Sequence, residues 1–385
     1  MTDSKRVTKI KLLKSIDRIL GRPLVSLLPR IKKPRKGNTA KFKKILIIRP
    51  GGIGDAVLLL PAINSLKANL PDSEIDILSE KRNAEIFSFS KEINRTYLYD
   101  MDSGLSKCLR NRYDVVIDTE QWHRLPAAVA YLTGAAVRIG FDTNERARLF
   151  THRIPYSHDD YEVYSFLHLI EPLINSSKFK AQGSRLTFDL DKPFLNMEGT
   201  PSIDSQSPVS NLQSPVSGLQ SPVIAIFPGA SVVERRWGGD RFGKVARDLR
   251  SKGYRIVILG SGADSRDAAG IREYAGDCID LTGKTDIKAV AAVLRESKLL
   301  LTADSGLMHI AYAVGTATVS LFGAGIEKKW APRGKNHIVL NRYIDCSPCT
   351  RFGYTPRCKR DVECLSSLSV DAVIGAVERI LEQVS

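Results

Sequence analysis

The stretch Ile45–Leu60, ILIIRPGGIGDAVLLL, decides the fold of the first half of the chain. A β-rich apolar run ends at a proline and three glycines, Gly51, Gly52 and Gly54, and Asp55 precedes a second apolar run of helical length. A strand, a glycine turn and a helix in this order predict the first βα unit of a parallel sheet. Because Asp55 stands where the helix begins, the turn is a nucleotide cradle, a helix cap or a catalytic site.

Apolar runs of strand length recur along the chain and alternate with helical patterns. The first half contains KILIIRP, EIDILSE and YDVVIDTE; the second contains VIAIFPG, RIVILGS, KLLLTADS and TATVSLFG. This alternation is typical of parallel sheets with helices on both faces, and 385 residues suit two domains. We therefore predict an α/β protein with two Rossmann-like, doubly wound domains.

A Ser-, Pro- and Gln-rich segment separates the two sets of strands. Residues 206–226 read QSPVSNL QSPVSGL QSPVIAI, with a proline in each copy, which predicts a linker or loop expansion. The last segment carries an apolar stripe at helical spacing, so we expect a docked helix there. The predicted parts are a basic tail (1–42), a first domain (43–195), the linker (196–222), a second domain (223–368) and the C-terminal helix (369–385).

The net charge of +15 belongs mostly to the tail. Residues 1–44 hold 15 Lys and Arg against two Asp, so thirteen of the fifteen net charges lie there. Ile10, Leu13, Ile16 and Leu20 recur among these cations, which is typical of a helix on an anionic membrane; a solvated, disordered arm is an equal alternative. Aromatic residues are scarce in the tail, so we expect no nucleic-acid partner. Without a signal peptide or a spanning run, we expect a cytoplasmic protein.

The glycine turn does not match known phosphate-binding loops. A Walker loop needs a lysine and a hydroxyl after the last glycine, but Asp55 and Ala56 follow Gly54. The dinucleotide fingerprint is met only as GxGxxV, and a carboxylate near a helix N-terminus repels a pyrophosphate. A helix cap, worth about 1 kcal/mol, is the simplest interpretation of Asp55, although a cap does not require three glycines.

The second half contains a segment suited to an anionic group. LLLTADSGLMHIAYAVGTATVSLFG predicts a helix capped by Asp304 or Ser305, with the N–H groups of Gly306 and Leu307 directed outward toward a diphosphate. His309 lies one turn later, as a further donor or as a packed core histidine. In FPGASVVERRW a pair of arginines precedes the next helix, and a guanidinium suits a phosphate, although arginine pairs are common on surfaces.

Taken together, RPGGIGDAVLLLPAINSLK, the PGAS…RRW segment, LTGKTDIKAVAAVLRESKLLLTADSGLMHIAYAVGTATVSLFG and a trailing CSPC cluster resemble glycosyltransferase family 9, the ADP-heptose:lipopolysaccharide heptosyltransferases. The resemblance runs from about residue 43 to the C-terminus. It implies the GT-B architecture, in which the first domain receives the acceptor, the second holds the nucleotide sugar, and the last helix crosses back to the first domain.

The resemblance also implies roles for individual residues. Asp55 corresponds to the general base of an inverting transfer, on a turn whose glycines (Gly51, Gly52 and Gly54) let a sugar approach closely. The nucleotide sugar and its departing diphosphate would be bound in the second domain, with no divalent metal required for catalysis. The residues assigned there are Ser231, Arg235, Asp304, Ser305, Gly306, Leu307 and His309.

Some positions leave the substrates open. Arg235 stands where lysine is common in the family, and the Gly323–Gly325 segment, Gly-Ala-Gly, replaces the usual Gly-Pro-Thr. Trp122, His123 and Arg124 follow a predicted strand and line the acceptor cleft or belong to an ordinary surface loop. Four cysteines have the spacing of a zinc site, which predicts a structural metal; free thiols are the alternative. They are Cys346, Cys349, Cys358 and Cys364.

We therefore predict an inverting glycosyltransferase that moves heptose or a related sugar from an ADP-activated donor to a lipopolysaccharide-core or similar lipid-linked acceptor. The basic tail would hold it at the inner face of the cytoplasmic membrane. Three alternatives stay open: a relative that uses another nucleotide sugar and acceptor, a nucleotide-dependent oxidoreductase, whose fold would be similar, and a catalytically inactive binding subunit.

Overall fold

The computed structural model describes residues 3–29, 42–101, 103–174, 188–198 and 222–384. The chain divides into two compact units, Met1–Phe188 and Asp189–Ser385. All but the end of the QSPV repeat lies outside the described residues, and its third copy runs into the first strand of the second unit, as predicted.

The first unit is one parallel sheet with helices. Its elements are α1 (Asp3–Leu27), β1 (Lys44–Arg49), α2 (Ile53–Asn69), β2 (Glu74–Ser79), α3 (Lys81–Phe87), β3 (Arg95–Leu98), α4 (Gly104–Arg110), β4 (Val115–Asp118), α5 (Leu125–Leu132), β5 (Val137–Phe141), β6 (His152–Ile154) and α6 (Glu162–Ile174). The strand order is β3-β2-β1-β4-β5-β6, and every neighbouring pair is parallel.

The second unit repeats this plan. Its elements are β7 (Val223–Phe227), α7 (Gly239–Ser251), β8 (Arg255–Ile258), α8 (Ser265–Ala275), β9 (Ile279–Asp280), α9 (Ile287–Glu296), β10 (Leu299–Ala303), α10 (Gly306–Val314), β11 (Ala317–Phe322), α11 (Glu327–Trp330), β12 (His337–Asn341), α12 (Glu363–Ser366) and α13 (Val370–Val384). The order β12-β11-β10-β7-β8-β9, read backwards, is that of the first sheet. The predicted pair of doubly wound Rossmann-like domains is confirmed.

The central strands are the ones that the sequence reveals most clearly. Strands β1 and β10 are buried along almost their whole length because helices cover both faces of a parallel sheet. The edge strands β3, β6 and β9 are only four, three and two residues long and carry polar residues. Their hydrophobic pattern is too short to predict them from the sequence.

One predicted boundary and the predicted docking of the last helix differ from the structure. Residues 189–195, placed in the first domain, belong to the second unit, where the N–H groups of Phe194 and Leu195 both donate to Ala313 O at 2.9 Å. The apolar stripe of α13 is buried in the core of the second unit together with Trp237 and Leu365. The docking surface that the resemblance had assigned to the first domain is therefore provided by the second unit itself.

The helical alternative for the tail is the one observed, as α1. Its inner face consists of Asp17, Gly21 and Val25, which are buried against the first unit, with Val25 in the core. Gly21 allows this approach, because a Cβ there would lie 3.1 Å from Arg124 Cδ. Over the described part of the chain, no helix combines the length and the apolar character that a membrane crossing requires.

Candidate active site

The glycine turn lies at the point where the strand order of the first sheet reverses. Strand β1 pairs with β2 on one side and with β4 on the other, so the loops after β1 and β4 diverge at their carboxyl ends. This is the position where doubly wound sheets bind ligands. The residues that follow β1 are the predicted turn and Asp55, and those that follow β4 begin with Thr119 and Glu120.

The turn needs a glycine at position 51 because it folds over a buried arginine. Gly51 has φ = +107°, a value that favours glycine, and a Cβ at this residue would lie 3.1 Å from Arg49 Nη2 and 3.7 Å from Asp55 Oδ2. The Gly51 N–H donates to Glu80 Oε1 at 3.1 Å, which fixes the turn to the end of β2. A Cβ at Gly52 would lie 3.6 Å from Asp55 Oδ2, an ordinary van der Waals distance, so this position does not itself require glycine.

Asp55 occupies the first turn of α2 and not its N-cap. The helix begins at Ile53 with Gly52 as the cap residue, and no side chain caps it. The Asp55 side chain is 21% exposed, and its Oδ2 lies 3.6 Å from Arg49 Nη2. Burial raises the pKa of Asp55 and outweighs the opposing effect of Arg49, and the negative charge of Glu120 raises it further. The carboxylate is therefore a stronger base than an ordinary aspartate.

Arg49 and Glu120 are the residues of this site that the sequence analysis missed. Arg49 is 1% exposed, donates from Nε to Pro50 O at 2.6 Å and from Nη1 to Thr119 O at 3.1 Å, and lies 3.7 Å from Glu120 Oε2 through Nη2. Glu120 is also buried. The position of both residues at the carboxyl ends of adjacent strands is the signal that could have identified them.

The segment Trp122–Arg124, considered for the acceptor side, is held from two directions. Glu120 Oε1 accepts the N–H groups of Trp122 at 3.1 Å and of His123 at 3.4 Å. Asp17 of α1 accepts the N–H of Arg124 at 2.7 Å, and its other oxygen lies 3.3 Å from His123 Nδ1. Trp122 is 37% exposed. The loop is thus an ordered surface that adjoins the Asp55 site through Glu120.

In the second unit, the predicted anion-binding helix is α10. Ser305 is its N-cap, and Ser305 Oγ accepts the N–H of Met308 at 3.4 Å. Gly306 and Leu307 form the first turn, whose N–H groups have no acceptor within a helix. The loop before α10 follows β10, and β10 pairs with β7 where the order of the second sheet reverses. The helix N-terminus therefore lies at the second switch point.

The half-buried Arg235 and the buried Asp304 form an ion pair beside this helix. Arg235 Nη1 lies 3.1 Å from Asp304 Oδ2, and Arg235 Nη2 donates to Thr350 Oγ1 at 3.3 Å. Burial raises the pKa of Asp304, and Arg235 opposes that shift. Burial, aided by Arg235, lowers the pKa of His309 to about 3, so the imidazole is neutral. Its Nδ1 has no hydrogen-bond partner among the described residues.

Of the residues around the Arg235–Asp304 ion pair, some lie beside it and others only stabilise the fold. A Cβ at Gly325 would lie 1.9 Å from Asp304 Oδ2, so the glycine is what leaves room for this carboxylate. Ser231 is exposed on the loop that follows β7, four residues before Arg235. Arg236 turns away and binds Asp264 and Asp267, at 2.8 and 2.6 Å. Of the two adjacent arginines, only Arg235 is part of the site.

None of the four clustered cysteines is in a disulfide. Cys364 is buried and Cys346 exposed, and Cys358 Sγ accepts the N–H groups of Arg360 and Val362 at 3.4 and 3.3 Å. Burial raises the pKa of Cys364, and the other three thiols add to that shift. Within the described ranges, no group of three or more His, Cys, Asp or Glu side chains is arranged to hold a metal ion. The structural zinc stays a prediction.

Comparison with known proteins identifies the family. The model of "Glycosyltransferase family 9 (heptosyltransferase)" matches residues 104–357. The chain is 31% identical over 316 residues to lipopolysaccharide heptosyltransferase 3 of Escherichia coli, covering 74% of this chain and 85% of that protein. It is 25% identical over 319 residues to lipooligosaccharide heptosyltransferase 2 of Haemophilus ducreyi, covering 78% and 89%.

Solved structures agree with this result at the level of the fold. The structure of E. coli ADP-heptose lps heptosyltransferase II superposes with a TM-score of 0.69 at 22% identity, covering 88% of this chain and 99% of that one. A family 9 glycosyl transferase from Veillonella parvula gives a TM-score of 0.72 at 20% identity, covering 91% and 100%. These likenesses confirm the predicted GT-B fold class. The chain belongs to glycosyltransferase family 9, the heptosyltransferase family.

Proposed function

We propose that this glycosyltransferase moves heptose, or a closely related sugar, from an ADP-activated donor to a lipopolysaccharide-core or similar glycan acceptor, with inversion at the anomeric carbon. Family membership supports the transferase class over an oxidoreductase. The relatives named above are lipopolysaccharide and lipooligosaccharide heptosyltransferases, and one related structure is of an enzyme named for ADP-heptose. These names support the donor and acceptor proposed here.

The observation that carries the mechanism is the state of Asp55. It is a partly exposed carboxylate whose pKa is raised, on a glycine turn that leaves the backbone open. In the proposed step an acceptor hydroxyl attacks the anomeric carbon and forms the new C–O bond. The bond from that carbon to the diphosphate oxygen breaks on the opposite face. Asp55 takes the hydroxyl proton, and the nucleoside diphosphate leaves with the bonding electrons.

The second unit offers the groups that would bind the leaving diphosphate. Arg235 supplies a permanent positive charge, and α10 directs the N–H groups of Gly306 and Leu307 outward from its N-terminus. His309 is neutral and has an Nδ1 atom available for a hydrogen bond. Preorganised donors of this kind stabilise the charge that develops on the leaving group.

The outer face of α1 supports a peripheral position on a membrane. Ile19, Leu20, Leu24 and Leu27 are 71%, 55%, 39% and 83% exposed, although large apolar side chains usually avoid water. The same helix and the residues after it are rich in Lys and Arg, which attract anionic lipids at about 1 kcal/mol for each cation near the surface. Because the inner face of α1 is bound to the first unit, this contact would bring the acceptor side close to lipid-linked substrates.

Calorimetric titration of the full chain with ADP, ADP-heptose, UDP, GDP and NAD tests the donor class. We expect ADP and ADP-heptose to bind at least ~10-fold more tightly than the others, both to the wild type and to Asp55→Ala, because a general base serves chemistry more than donor affinity. Preference for UDP or GDP would indicate another nucleotide sugar. Binding of NAD alone would contradict the transferase mechanism.

A further inference from the structure

The guanidinium of Arg49 is shared between two carboxylates from different strands. Its Nη2 atom lies 3.6 Å from Asp55 Oδ2 and 3.7 Å from Glu120 Oε2. The two carboxylate oxygens therefore lie within about 7 Å of each other. One positive charge faces two negative charges at a site that is mostly removed from water.

Arg49 is held so that it cannot turn toward only one of them. Its Nε and Nη1 atoms donate to the carbonyl oxygens of Pro50 and Thr119, which belong to the loops after β1 and β4. The guanidinium also lies 5.8 Å from the centre of the Phe166 ring. Asn83 Nδ2 donates to Arg49 O at 3.2 Å. The fork is therefore fixed between Asp55 and Glu120.

Glu120 is fixed by its other oxygen. Oε1 accepts the N–H groups of Gln121, Trp122 and His123 at 3.0, 3.1 and 3.4 Å, which directs Oε2 to Arg49. Burial alone would raise the pKa of Glu120, but His123 and Arg49 outweigh it and lower the pKa. Glu120 thus keeps its negative charge while it lies beside the proposed base.

We propose that Arg49 and Glu120 are positioning residues for Asp55, with Arg49 holding the carboxylate toward the turn and Glu120 competing with Asp55 for the same guanidinium. This inference rests on the proposed function of Asp55. Arg49 taken alone lowers the pKa of Asp55, against the effect of burial. The charge of Glu120 offsets part of that lowering and makes Asp55 a stronger base than it would be in a one-to-one pair with Arg49.

Other charged groups surround this cluster and also affect the pKa values of its members. They lie on α3, on and after β4, in the 3-10 helix Glu145–Leu149 and around α6, and they act on Arg49, Asp55 or Glu120 in the electrostatics of the site. They are Arg82, Asp118, His123, Arg146, Tyr156 and Glu162. Asp118 is itself ion-paired with Arg146, so its charge is largely compensated locally.

The test is a ¹³C NMR titration of the full chain labelled at aspartate carboxyl carbons, with Asp55→Asn used to assign the Asp55 signal. At the distances above and an effective dielectric constant near 20, Glu120→Gln should lower the pKa of Asp55 by about two units, and Arg49→Gln should raise it by about three. Arg49→Lys keeps the charge and should bring the pKa back toward the wild-type value.

Because a general base works only when deprotonated, the acidic limb of the rate profile should follow these shifts. It should move to lower pH in Glu120→Gln and to higher pH in Arg49→Gln. Glu74→Gln is the matched control, since this exposed carboxylate on β2 pairs with Lys44, at the end of β1 opposite Arg49, and should change neither readout.

The two readouts separate this proposal from the proposed function. The NMR titration needs no turnover, so opposite shifts of the Asp55 signal support the positioning pair even if the chain transfers no heptose. If the wild type is active but the pKa of Asp55 is unchanged in Glu120→Gln, or if Glu120→Gln raises it, the proposal is wrong while the transferase function stands. If Arg49→Gln does not fold, the Glu120→Gln titration alone decides, because Arg49→Lys keeps the positive charge.

Discussion

Replacing Asp17 with alanine should loosen the first unit at the start of α5. Asp17 is 3% exposed, and its Oδ1 accepts the N–H groups of Arg124 at 2.7 Å and Leu125 at 2.6 Å. These N–H groups belong to the N-terminus of α5, where a helix has no internal acceptors and where a negative charge is favourable. A side chain from α1 therefore caps a helix more than one hundred residues away.

The size of the effect follows from these contacts. Loss of an N-cap acceptor costs about 1–2 kcal/mol, and loss of a partly buried negative charge at a helix N-terminus costs up to about 2 kcal/mol. The two overlap, so Asp17→Ala should cost about 2–3 kcal/mol. For a unit of this size that corresponds to a fall in Tm of about 4–12 °C. Asp17→Asn keeps an acceptor oxygen and should lose about half as much.

Differential scanning calorimetry of the full chain measures the fall, and hydrogen exchange of the peptide covering residues 122–132 localises it. Amides at the start of α5 should exchange about 30–150-fold faster in Asp17→Ala, which is the same free energy expressed as an opening equilibrium. The neighbouring exposed residue Arg18 provides the control, because Arg18→Ala should change stability by less than about 0.5 kcal/mol.

The loss should also depend on pH. Burial alone would raise the pKa of Asp17, but hydrogen bonds from His123 and Leu125 outweigh it and bring the pKa below its ordinary value of 3.8. A depressed pKa stabilises the fold above the unfolded-state value and loses that contribution as the pH falls through the folded value. The difference between wild type and Asp17→Ala should therefore shrink below about pH 4. A Tm within 1 °C of wild type at neutral pH would refute the docking of α1.

Three further changes test other parts of the molecule. Gly325→Ala should weaken ADP binding at least ~10-fold with the fold intact, because a Cβ 1.9 Å from Asp304 Oδ2 must displace that carboxylate; unchanged calorimetric affinity would contradict this. Ile19→Ser with Leu27→Ser should reduce sedimentation with anionic vesicles at least ~10-fold without changing Tm, and equal sedimentation would exclude the outer face of α1 as the contact. Trp237→Phe removes a buried hydrogen bond to Leu368 O and some volume, and should cost about 2–3 kcal/mol in chemical denaturation; a loss below 1 kcal/mol would be inconsistent with that packing.

Local patterns predicted the elements that carry the site but not all of its partners. The strand, glycine turn and helix around Asp55 lie within sixteen residues, and the Ser305 cap directly follows a strand. The period of the hydrophobic pattern and the residues of the turns were therefore sufficient to predict these elements. The contact between Arg49 and Glu120 joins residues about 70 positions apart and depends on β1 being next to β4. Strand adjacency of that kind is a tertiary property.

The surfaces on which the two terminal helices pack could not be predicted from the sequence for a related reason. An apolar stripe indicates that a helix is buried, yet the stripe of α13 did not specify the surface that receives it, and that surface is the core of its own unit. In α1 the anchoring residue is the acidic Asp17, which the charge pattern of the tail did not distinguish. The choice between Arg235 and Arg236 likewise depended on which carboxylates lie within reach in the folded unit.

The central claim is that Asp55 is the base of a heptosyl transfer, and turnover tests it most directly. The full chain is incubated with ADP-heptose and a truncated lipopolysaccharide-core acceptor, and ADP release and the anomeric configuration of the product are measured for wild type and Asp55→Asn. We predict transfer with inversion, and a kcat at least ~100-fold lower in Asp55→Asn at unchanged ADP affinity. Retention of configuration, or full activity in Asp55→Asn, would contradict the account.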